Sequence, residues 1–149
     1  MSTPNEKFAD QRFKYPSPGV AAVGQYQLSG IPFTTASIDV QSVTDNEGAY
    51  EVRFPYVTKF VTVINEHSGS SAKLRVGFSN LGVTGSDAND TGDNFFLLDN
   101  GESYTGEFRV SRIYLAGNNS AATASIIAGM TGIPAAKLET NWSGTSGVG

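Results

Sequence analysis

The chain has 149 residues, no cysteine and a formal net charge of −4. That length suits one domain with its own core, and the missing thiols exclude disulfide frameworks, thiolate zinc sites and cysteine nucleophiles. An acidic balance argues against a sequence-independent grip on nucleic acid, and with only 16% charged residues the polarity comes from Gly, Ser, Thr and Asn, a composition of short strands and turns.

Residues 1–24 read as an extended arm. Pro4, Pro16 and Pro18 punctuate it, and Phe8, Phe13 and Tyr15 follow neither a helical nor a strand period. Three aromatics are too many for a solvated tail. The arm folds back on its own domain, docks on a neighbouring subunit or is simply disordered, and Phe8, Phe13, Tyr15, Tyr26 and Phe33 are the candidate subunit-interface residues. Its polar start lacks the apolar core of a signal peptide, and no run reaches the ~18 apolar residues of a membrane span. The expectation is a soluble protein with no membrane or nucleic-acid partner.

Residues 25–134 break into short alternating segments. Gln25–Ser29 and Pro32–Val40 come first, and Ala49–Phe54 then sets Tyr50, Val52 and Phe54 opposite Glu51 and Arg53. Val57–Asn65 is β-branched almost throughout and reads as buried on both sides. Lys73–Ser79 turns Leu74, Val76 and Phe78 inward, and Asn94–Leu98 is a continuous apolar run. Tyr104–Val110 places Gly106, Phe108 and Val110 on one side; Arg112–Ala116 and Ala122–Met130 complete the set. Residues able to adopt positive φ or to cap themselves fill the gaps, and Asn100-Gly101 is the strongest hairpin signal. No convincing helix appears. Eight or nine short strands predict an all-β fold, a single antiparallel β-sandwich with a jelly roll preferred over an immunoglobulin domain, whose Cys pair and core Trp are missing. Val52, Phe54, Val61, Val63, Leu74, Val76, Phe78, Phe108, Val110, Ile113 and Leu115 form the expected core. Residues 135–149, rich in Gly, Ser and Thr, read as a flexible tail.

Catalysis finds little footing. His67 is the only histidine, and Glu66, its chain neighbour, is badly placed to orient it because adjacent strand residues face opposite ways. No nucleophile elbow, phosphate-cradling loop or selected pair of carboxylates stands out. Asp87, Asn89, Asp90 and Asp93 form a weak Ca²⁺ candidate: offsets 1, 3 and 6 match an EF-hand loop, but offset 12 is Leu98 and no helices flank it. Asx-turns account for the same composition. Tyr26, Tyr50, Tyr56, Tyr104 and Tyr114 could serve as sugar platforms, although most alternate with the core pattern. No cofactor and no enzymatic activity are expected.

Five segments together, VGQYQLSGIPFTT (23–35), EVRFPYVTKFVTVIN (51–65), KLRVGFS (73–79), NFFLLDNGESYTGEFRVSRIYL (94–115) and ASIIAGMTGIP (124–134), resemble small single-jelly-roll virion proteins of tailed phages and marine viruses. The resemblance is one of strand and turn phrases and holds no invariant chemical motif. It implies a non-enzymatic capsid decoration, cement or minor capsid protein located in the virion. Its partners would be itself, as a symmetric homo-oligomer with a trimer foremost, and the major capsid or other virion proteins. The rival expectation is a carbohydrate- or host-surface-binding module of a spike or fibre.

Overall fold

The computed structural model describes residues 18–45, 48–69, 72–85, 94–138 and 147. Among the described residues, eight strands build two antiparallel sheets of four. The first holds β1 (Ile31–Val40), β3 (Tyr56–Asn65), β6 (Ser103–Gly106) and β8 (Ala122–Pro134), in the order β1-β8-β3-β6. The second holds β2 (Tyr50–Arg53), β4 (Leu74–Gly77), β5 (Phe96–Leu98) and β7 (Arg112–Gly117), in the order β2-β7-β4-β5. This is the all-β sandwich the composition implies. Its pairings are nested: β1 with β8, β2 with β7, β3 with β6, β4 with β5. We read that nesting as a jelly roll, a long hairpin wound so that successive pairs alternate between the sheets.

Burial follows the strand alternation. Nine of the eleven expected core residues are buried between the sheets, and Phe78 and Phe108 are partly buried against the same cluster. Ile38 and Val40 from β1 and Ala124, Ile126, Ala128 and Met130 from β8 complete it. The alanines of β8 leave room for larger partners opposite, so one sheet's bulk meets the other's gaps. A smaller cluster of Val57, Ile133 and Leu138 lies at one end. It shows that order continues through the 3₁₀ turn Ala135–Leu138, four residues that the sequence assigned to the tail.

Several local expectations give way to tertiary contacts. Gln25 and Tyr26 lie in a short helix, α1 (Val23–Gln27), not a strand. That turn lets the Gln25 side chain accept from the Gly132 N–H at 3.0 Å while Tyr26 packs on the small cluster. A second short helix, α2 (Asn80–Thr84), interrupts the loops; Ser79 caps its N-terminus by accepting from Gly82 N–H, and Gly85 ends it at φ 63°. The Asn100-Gly101 turn does not close a hairpin, because β5 and β6 belong to different sheets. Instead Gly101 N–H donates to the Asn65 carbonyl at 3.0 Å, so the turn carries the chain across the sandwich edge. Tyr104–Val110 is likewise not one strand: β6 ends at Gly106 and the chain crosses over, keeping Val110 buried. The Thr58 hydroxyl fastens that crossing, donating to the Phe108 carbonyl at 2.6 Å and accepting from Val110 N–H at 3.2 Å. Tyr50 leaves its expected inward face and is 46% exposed at the sheet margin.

Candidate interaction surface

The two sheets present outer faces of opposite character. On the second sheet the outward residues include Glu51, Arg53, Arg75 and Arg112, beside the uncharged Tyr114 and Leu97, and these charges are engaged. Glu51 accepts from Arg112 at 2.8 Å and from Arg53 at 3.2 Å. Arg75 donates to Asn118 at 2.7 Å and to the Val83 carbonyl of α2 at 3.0 Å, and its guanidinium lies 4.1 Å from the Phe95 ring centroid. Helix α2 sits directly on β4: a Cβ at Gly77 would stand 2.4 Å from a Val83 methyl, and Val83 is buried. The part of this face over β4 is covered by its own chain, whereas Leu97 on β5 is 42% exposed.

The first sheet's outer face is neutral through its centre. Strand register lines up Thr34, Ile127, Thr62 and Thr105 in one row across four strands. The next row is Ser125, Ile64 and Ser103; on the other side stand Pro32, Gly129 and Phe60. The Phe60 ring lies flat over Gly129, where an added Cβ would meet it at 2.3 Å. Thr62 and Thr105 share a hydroxyl hydrogen bond of 2.8 Å. Ile127, at the centre, is 45% exposed. Charge appears only at the two ends. Asp39 pairs with Thr123 at one end, where the exposed Glu66 also donates its N–H to the Thr123 carbonyl. At the other end Lys59 reaches the Leu28 carbonyl and lines a cavity of about 230 Å³ with Tyr26, Glu107 and Arg109.

A third feature runs along the β5 side. Val76, Gly77, Phe78, Asn94, Phe95, Phe96 and Gly147 line a groove of about 310 Å³. Beside it Phe96 meets Tyr104 at 5.1 Å, and Tyr104 stacks toward Phe108 at 6.3 Å, leaving Tyr104 46% exposed.

The structure redistributes the residues singled out from sequence. Tyr26 is spent on its own domain: it packs on the Val57 cluster, and its hydroxyl donates to the Val20 carbonyl at 2.7 Å. Phe33 likewise makes an edge contact with Phe54, 5.0 Å between centroids, inside the sandwich. Phe8, Phe13 and Tyr15 lie outside the described residues, as do the Ca²⁺ candidates Asp87, Asn89, Asp90 and Asp93. Among the described residues no group of three or more His, Asp or Glu could hold a metal. His67 is half-buried in its turn, where its backbone N–H donates to Asn65 Oδ1 at 3.1 Å. Sequence reasoning missed the outward row at Ile127, because Ile127 follows Ile126 in an apolar pair and Val57–Asn65 carries Phe60 and Ile64 on its outward side, so alternation gives little contrast there. Gly129, opposite the aromatic Phe60, was the one local hint of a close approach.

No family model matches the chain, and no curated protein matches it. Among solved structures it is similar to cobalt(II) HppE in complex with substrate, at 11% identity and a TM-score of 0.38, covering 65% of this chain and 42% of that one. It is also similar to a structure titled "Bacillus endospore appendages form a novel family of disulfide-linked pili", at 14% identity and a TM-score of 0.34, covering 70% of this chain and 91% of that one. The chain thus spans less than half the length of HppE.

Proposed function

We propose that this protein is a non-enzymatic structural subunit that assembles with copies of itself on a virus particle, as a capsid decoration or cement protein. The observation that carries the self-assembly is the neutral outer face of the first sheet, with Ile127 exposed at its centre, where the other sheet carries Glu51, Arg53, Arg75 and Arg112. An uncharged face is the kind of surface on which a partner loses little hydration energy. The virion setting rests on the resemblance of the strand and turn phrases. Particle proteins gain from such faces because many weak contacts, repeated on a lattice, sum to firm attachment.

A second reading, a glycan-binding module of a spike or fibre, is favoured by Tyr104, an exposed ring backed by Phe96 and Phe108. One pair of measurements separates the two. Sedimentation velocity across a concentration series should show a defined oligomer, and a glycan array should stay blank. A chain that remains monomeric and binds a glycan through Tyr104 would replace the first reading with the second.

A further inference from the structure

We infer that the outer face of the first sheet is the contact between two copies of this chain, stacked face to face with their strands antiparallel. The inference rests on the self-assembly proposed above and names its surface and geometry.

The occupant follows from charge. A two-fold contact sets the same patch against itself, so a patch with charge at its centre would repel its own copy. The centre of this face, from Thr34 through Ile127 to Thr105, carries none. The outer face of the second sheet, with Arg53, Arg75, Glu51 and Arg112, does not meet that condition.

Orientation follows from the ends. Asp39 and Glu66 stand at one end of the face; at the other, Lys59 and Arg109 stand beside Glu107, which leaves that end with one net positive charge. Stacking with strands parallel would set the acids of one copy over the acids of the other. Turning the second copy end for end places Asp39 and Glu66 over the partner's Lys59 end, which is attractive at both ends at once. Four strands about 4.8 Å apart and a length of about seven residues at ~3.3 Å give a face on the order of 400 Å². That is roughly half of the ~800 Å² per partner in a standard stable interface. The paired contact is therefore weak alone and suited to a lattice where other contacts hold the copies in place.

The test is sedimentation of the full chain from about 10 µM to about 1 mM. Ile127→Glu and, independently, Thr34→Lys should each weaken the pair at least tenfold, with unchanged melting curves showing that the outward substitutions leave the fold intact. Leu97→Glu, on the second sheet, should leave association as it was. Lys59→Glu should weaken the pair, and adding Glu66→Lys to it should recover part of the association, because that one opposed pair exchanges sign while Asp39 and Arg109 keep theirs. An oligomer insensitive to Ile127→Glu and Thr34→Lys would overturn this contact while leaving self-assembly standing. A chain monomeric throughout the range would overturn both.

Discussion

Asn65 shows how one polar side chain can organise several loops. It is fully buried, and its amide donates to the Ala72 carbonyl at 2.9 Å and the Leu98 carbonyl at 3.1 Å, while its Oδ1 accepts from His67 N–H. Three segments meet on that amide at the end of β3. Replacing it with alanine strands two buried carbonyls and one N–H, so Asn65→Ala should lower stability by about 2–4 kcal/mol in denaturant titration. Asn65→Asp should be no better, since an ionised carboxylate accepts but cannot donate. Ser125 is the opposite case. Its hydroxyl is buried without a hydrogen-bond partner among the described residues. Ser125→Ala should therefore leave stability unchanged or raise it, by up to about 1 kcal/mol; a loss beyond about 1 kcal/mol would mean the hydroxyl is satisfied.

At the scale of elements, close approach decides what each turn and edge tolerates. Gly117 ends β7 where the chain doubles back; an added Cβ would sit 2.0 Å from the Ser120 carbonyl oxygen, a backbone atom that cannot swing away. Its N–H also donates to the Gln41 carbonyl at 2.8 Å, tying β7 to the segment after β1. Gly117→Ala should cost at least about 2 kcal/mol, read as a fall in the thermal midpoint, whereas Gly24→Ala, with open space around it, should cost little. Edge strand β1 carries its own device. Its register slips between Thr35 and Ile38, with Ser37 at φ 55°, and such a bulge twists an edge away from unwanted pairing. The short edges β5 and β6 limit pairing by length alone.

For the whole molecule, the sandwich core and the neutral outer face of the first sheet use the same strands, β3 and β8, turned two ways. Ile126 faces in and is fully buried; Ile127 faces out and is exposed. Ile126→Ala should cost about 2–5 kcal/mol of folding stability, while Ile127→Ala should change association far more than melting. Metal removal tests the acidic segment Asp87–Asp93. Chelator treatment should leave the melting midpoint in place, and a fall of several degrees would establish a structural cation there.

The strand content, the sandwich class and most core positions were legible because alternation with period two is a local pattern, set by where successive side chains point. Val52, Leu74, Val76, Ile113 and Leu115 needed no more than that. The α2 cap was also legible, in Ser79 and Gly85, though an all-strand reading passed over it. What only the tertiary structure decided is which strands pair and which outer face stays bare. Asn100-Gly101 looks like a hairpin locally, yet β5 and β6 join different sheets because β6 pairs along β3 and the turn is fastened to Asn65. Val57–Asn65 looks buried on both sides, yet Ile64 and Thr62 face outward, and among the described residues α2 packs on the second sheet while no such helix packs at Ile127. Local sequence fixes side-chain direction, whereas coverage depends on segments distant in the chain.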